Sequence, residues 1–91
     1  MKTFGIVEKP GADKLKELEV SGWPVWIKGP SEFVKRYEMP ETCYIVEGEA
    51  VLTPENGEGV SIRRGMLVYF PAECNCHWSI KTKFSMRYLL G

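Results

Sequence analysis

Residues that can turn a chain recur every eight to twelve positions from Gly29 onward. They are Gly29-Pro30, Met39-Pro40, Gly48, Asn56-Gly57 with Gly59, Gly65 and Pro71. The apolar runs between them are too short for ordinary helices but long enough to cross a sheet once. That spacing predicts an all-β sandwich or barrel. A chain of 91 residues has room for a single domain, 1–91, with a compact core.

The expected strands are Phe4 to Val7, Glu32 to Met39, Thr42 to Glu47, Ala50 to Thr53, Gly59 to Arg63, Met66 to Phe70, Cys74 to Ile80 and Phe84 to Leu90. Side chains alternate across a strand, so residues two apart share a face. Cys74, Cys76, Trp78 and Ile80 therefore share one side, opposite Asn75, His77 and Ser79. In the last strand Phe84, Met86, Tyr88 and Leu90 lie opposite Ser85 and Arg87. Met66 to Phe70 is apolar on both faces, as in a strand covered on both sides. Asn56-Gly57 suits a hairpin turn, because both residues tolerate positive φ.

One short helix is expected around Leu15 and Leu18, which give it a narrow apolar stripe. Gly11 or Asp13 would cap its start, and Gly22 with Pro24 would stop it. Trp23, Val25 and Trp26 then read as an apolar flap closing on the barrel.

Composition narrows the function. Twelve basic and twelve acidic residues give no net charge, so nothing builds the positive field that nucleic acid or an acidic membrane needs. No apolar run approaches the roughly 20 residues of a membrane span. Met1-Lys2-Thr3-Phe4 lacks the apolar stretch of a signal peptide, so a cytoplasmic location is expected. Three cysteines, an odd number, suit a reducing compartment better than a disulfide framework. Cys74-Asn75-Cys76 is one cysteine pair short of a structural zinc site.

Four blocks occur in order: Trp23-Pro24-Val25-Trp26, Glu41 to Gly48 (ETCYIVEG), Gly65 to Pro71 (GMLVYFP) and Cys76-His77-Trp78. Together they resemble small single-domain cupins of the RmlC-like kind. The resemblance is to the group of the ethanolamine-utilisation cupins and of the cupin domain of (S)-ureidoglycine aminohydrolase, and it covers nearly the whole chain. It implies a jelly-roll β-barrel of two antiparallel sheets, with the two central blocks forming hairpins and a pocket in the lumen.

Metal-binding cupins carry H-x-H-x3-E and P-x-G-x2-H, and the resemblance implies ligands at the matching positions. Here the histidine positions fall on Lys35, Tyr37 and Cys76, and Glu73 takes the usual glycine position. Glu41 alone remains of three histidines and a glutamate, and Cys76 is the one substitute ligand on offer. Two protein ligands are fewer than the three a catalytic metal typically keeps, so no metal cofactor is expected. Lys35, if its ammonium enters the pocket, would pair with Glu41 and stand where a cation would; at the rim it would keep its head in water.

His77 is expected to face outward, because its neighbours Cys76 and Trp78 face in. A bulge at Glu73 to Asn75 would reverse this and bring Glu41, Cys76 and His77 together as an alternative metal site. Glu41 and Cys76 are the catalytic candidates. The alternatives are a carboxylate satisfied by neighbouring donors and a cysteine that merely packs. Phe33, Lys35, Tyr37, Glu41, Cys76 and Trp78 are the expected pocket lining, and Arg87 is expected on the surface.

Two functions fit. One is a lumen that binds a small polar metabolite, with Glu41 available for proton transfer. The other is a non-catalytic module with a self-filled lumen, forming a homodimer or docking a partner through the outer face of Met66 to Phe70, at Leu67 and Tyr69. A metal-dependent enzyme using Glu41, Cys76 and His77 is the third reading.

Overall fold

The structure is a computed structural model and describes residues 5–55 and 57–91. Phe4 of the first expected strand and Asn56 of the expected turn lie outside those residues. Among the described residues nine strands form two antiparallel sheets: β1 (Gly5–Val7), β2 (Val25–Lys28), β3 (Ser31–Tyr37), β4 (Glu41–Glu47), β5 (Glu49–Pro54), β6 (Val60–Arg63), β7 (Leu67–Phe70), β8 (Cys74–Ile80) and β9 (Phe84–Leu90). One sheet has the order β1-β7-β4-β9-β2 and the other β3-β8-β5-β6. This is the all-β architecture of two antiparallel sheets that the resemblance implies.

Eight of these strands match the sequence expectation, and the ninth corrects it. Trp23 to Trp26 is not a loose flap. Val25–Lys28 pairs along β9, with Trp26 opposite Met86. The pairing places Trp26 on the inner face, edge-on to Trp78 at 5.8 Å. Trp23 turns the other way, and its indole N–H donates to the Leu18 carbonyl at 3.0 Å. The two tryptophans therefore close opposite faces of one sheet. Pro24 stands between Trp23 and the start of β2.

The signature blocks also behave differently from expectation. β4 pairs with β7 and β9, whereas β5 pairs with β6 and β8. The segment through Gly48 is thus not a hairpin but a corner where the chain leaves one sheet for the other. Pro71, between β7 and β8, marks a second such corner. Gly48 holds φ at +90°, and a Cβ there would collide with the Lys83 carbonyl oxygen. Both conditions require glycine.

Helix α1 (Ala12–Glu17) starts at Gly11 and ends at Leu18, earlier than Gly22. A 3-10 turn (Val20–Gly22) follows. This N-terminal segment lies over the outer face of the first sheet. Val20, Trp23 and Leu67 form a second buried cluster there, with Leu15, Leu18, Tyr44 and Tyr69 packed against it. Leu67 is fully buried by the chain itself, which corrects the docking surface expected at Leu67 and Tyr69. Arg87 fixes the segment in place: its Nη1 donates to the Ser21 and Trp23 carbonyls at 3.1 and 2.8 Å. Arg87 lies outside the lumen, as the alternation of β9 requires, but it works as a clamp.

Between the sheets, Trp78 is the centre of the main core. Phe33 stacks on it at 5.9 Å, Phe70 lies at 6.0 Å and Phe84 meets it edge-on at 5.6 Å. These rings fill much of the barrel. A cleft lies toward the end where β4 begins.

Candidate functional site

Cross-strand register decides which side chains meet in the interior. In the β3–β8 ladder Phe33 lies opposite Trp78, Lys35 opposite Cys76 and Tyr37 opposite Cys74. Opposed residues share a face, so all six project toward the other sheet. There, Glu41 opens β4 between Phe70 and Leu90. The facing sheets bring Lys35 and Glu41 together.

Lys35 Nζ donates to Glu41 Oε1 at 3.4 Å and to Oε2 at 3.3 Å. The ammonium also stands 4.9 Å from the centre of the Tyr37 ring, within cation–π range. Glu41 is only 4% exposed and Lys35 33% exposed. Glu41 Oε2 accepts a further hydrogen bond from the Cys43 thiol at 3.2 Å. The acid is the buried half of the pair and the ammonium the reachable half.

Around this pair lies a cleft of about 360 Å³, a size that admits a small metabolite. Lys35, Tyr37 and Glu41 of the expected set line it. Trp26, Met39, Met86, Tyr88 and Leu90 form an apolar wall and rim, and Arg36 and Glu38 stand at the edge. Phe33, Cys76 and Trp78 correct the expected lining: they belong to the packed interior below the cleft. Met86, Tyr88 and Leu90 were recognisable as one face of the last strand. Only the register of that strand against Glu41 shows that this face reaches the site.

The Tyr37 hydroxyl accepts a hydrogen bond from the Trp78 indole at 3.1 Å, and its ring stacks on Phe70 at 4.4 Å. Burial above all pushes its hydroxyl well above the ordinary tyrosine range. The Cys43 thiol is driven up the same way, by burial and then by the Glu41 carboxylate. Cys76 is 0% exposed, and burial, followed by Cys74, raises its thiol to about 12. Thiolate is the nucleophilic form, so Cys76 is a packing residue at neutral pH. This corrects its candidacy as a nucleophile.

His77 projects from the outer face of β8, half exposed, with Nε2 at 3.5 Å from Glu32 Oε1. Glu73 does adopt a left-handed φ of 55°, but the ladder from Cys74 to Ile80 runs without a slip. The twist is spent before the strand begins, so His77 does not join Glu41 and Cys76. Among the described residues no group of three or more His, Cys, Asp or Glu is placed to hold a metal ion. The position beside Glu41 is filled by the Lys35 ammonium, a cation that cannot be a ligand while protonated. These residues do not fit the metal centre that the cupin pattern implies.

Among the described residues no helix is long and apolar enough to cross a membrane. No curated protein matches the chain. In the solved structures, a DUF861 family protein from Thermotoga maritima is 40% identical, with a TM-score of 0.94 over 98% of this chain and 100% of that one. A DUF861 family protein of unknown function from Pseudomonas syringae is 25% identical, with a TM-score of 0.66 over 74% of this chain and 29% of that one. The Clostridium difficile EutQ protein shares the fold at 18% identity, with a TM-score of 0.66 over 72% of this chain and 52% of its own. These likenesses bear out the ethanolamine-utilisation side of the resemblance, not a link to (S)-ureidoglycine aminohydrolase. The model of the EutQ-like cupin domain matches residues 15–88, and the chain belongs to that family.

Proposed function

We propose that this cupin binds a small polar metabolite in the cleft above the Lys35–Glu41 pair. The lysine ammonium takes the place that a metal cation has in the metal-binding cupin pattern. The supporting observation is the pair itself: a reachable ammonium held at 3.3 Å by a buried carboxylate in a cleft with apolar walls. Glu41 is the group available for proton transfer, since a ligand hydrogen-bonded to Lys35 lies within one side chain of a carboxylate.

A ligand screen by heteronuclear NMR tests the reading. A bound metabolite perturbs the Trp26 indole and the Lys35 and Tyr88 amides, and leaves the outer face around His77 unmoved. Should a turnover assay follow, an unchanged rate in Glu41→Gln removes the proton-transfer role.

The filled lumen favours a second reading. Trp78 and its ring neighbours occupy much of the volume a cupin uses for ligand, as in a non-catalytic module. Light scattering after size exclusion measures the subunit number this reading needs. A monomer at every concentration counts against a homodimer.

A further inference from the structure

We infer that the ligand is a small monocarboxylate with a short apolar tail, held by its anionic end on Lys35. This rests on the cleft being a binding site and goes further by naming the chemistry.

The cleft offers two charges at its floor, but they are unequally available. Both Glu41 oxygens already accept from Lys35, and Oε2 accepts from Cys43 as well. A cationic ligand would have to displace Lys35 to reach a carboxylate that is 4% exposed. Lys35 is different. An ammonium carries three donors, and among the described residues its polar contacts are the two oxygens of one carboxylate, at long distances. It can turn a donor toward the cleft without leaving Glu41. Arg36, next to Lys35 in β3, projects from the opposite face of the strand and stands at the cleft edge, where its charge is offset by Glu38 at 3.2 Å.

The rest of the ligand must match an apolar wall. Trp26, Met86, Tyr88, Met39 and Leu90 stand around the ammonium, and Met39 and Leu90 expose half or more of their surface. A single compact positive charge below such a wall suits one carboxylate and a few methylenes. A polyanion would find one donor group and a nearby repelling carboxylate.

The test titrates the ¹⁵N-labelled full chain with butyrate, butyramide and n-butylamine, three probes alike except at the polar end. Butyrate should shift the Trp26, Lys35 and Tyr88 signals saturably. From acetate to valerate affinity should rise about two- to fourfold per methylene, the upper figure being full burial. Glu41→Gln removes a carboxylate that repels the ligand, so butyrate should bind about three- to tenfold tighter. The double variant Lys35→Met/Glu41→Gln leaves no buried lone charge and should lose butyrate.

Weaker butyrate binding in Glu41→Gln overturns the assignment, because it makes Glu41 the receptor. That comparison decides the matter even if the double variant does not fold. Butylamine or butyramide binding in the cleft without butyrate also overturns it, while the cleft survives as a site. If none of the probes, nor a screen of neutral polyols, perturbs the cleft, the binding reading falls together with this one.

Discussion

Removing the Lys35 ammonium should destabilise the protein more than removing both charges of the pair. In Lys35→Met the Glu41 carboxylate, 4% exposed in the protein, keeps the Cys43 thiol as its one donor among the described residues. Breaking a fully buried pair costs about 3–5 kcal/mol. Lys35 is one-third exposed, so water screens part of the interaction and the cost should be about 2 kcal/mol. For a domain of this length that lowers Tm by about 10 °C. Glu41→Gln leaves an ammonium that can turn to solvent and should cost about 1 kcal/mol. The double variant has no lone charge, and the loss should fall short of the sum by about 1 kcal/mol or more. Urea denaturation of all four proteins, with m values checked for constancy, gives the cycle. Additivity within about 0.5 kcal/mol would mean that the pair is not coupled, and the functional argument built on it would fail.

Three further outcomes follow from other parts of the structure. Cys76 should resist alkylation in the folded state at pH 8, since a thiol raised to about 12 is ionised there to about one part in ten thousand; rapid labelling without unfolding would contradict its burial. The same shift sets a pH dependence: the folded thiol holds its proton above the ordinary 9.0, so its contribution is complete below pH 9 and is lost as pH rises toward 12. Cys76→Ala should flatten the fall of stability across that interval. Arg87→Ala removes both donors to the Ser21 and Trp23 carbonyls and should cost about 2 kcal/mol, with faster tryptic cleavage at Lys14 and Lys16; unchanged cleavage would show that the segment is held by packing alone. Gly48→Ala should cost more than about 2 kcal/mol, from positive φ and the Lys83 carbonyl together, as read by Tm.

The fold was legible because two local signals agreed. Turn residues marked the strand ends, and alternation in Cys74 to Ile80 and Phe84 to Leu90 oriented each strand without knowledge of its partners. Val25–Lys28 was missed because VWIK is short and follows a proline, and its pairing with β9 is a contact across about 60 positions of sequence. The corners at Gly48 and Pro71 were misread for a related reason. A turn residue says that the chain reverses, not which sheet receives it. Half of the site failed similarly. Lys35, Tyr37 and Glu41 follow from motif spacing on two strands consecutive in sequence, but the wall of Met86, Tyr88 and Leu90 depends on the register of β4 against β9. Cys76 and Trp78 were placed on the correct face, yet depth below the cleft is set by ring packing, which alternation does not encode.

On the proposed reading a lysine stands where a metal would, and that changes the chemistry the lumen can perform. An ammonium brings one positive charge and three donors, fixed covalently to β3, but no vacant coordination position. It can hold an anion or polarise a carbonyl through a hydrogen bond, whereas lowering the pKa of a bound water to near neutrality takes a metal. The neighbourhood of the pair is consistent with that limit. Cys43 and Tyr37 are held protonated by burial, so neither adds a competing negative charge beside Glu41. The lysine thus faces one carboxylate within the protein, and a second can be supplied only from the cleft. An ammonium between two carboxylates is a site whose affinity must respond to the inner one, and this is why neutralising Glu41 should strengthen rather than weaken the binding of an acid.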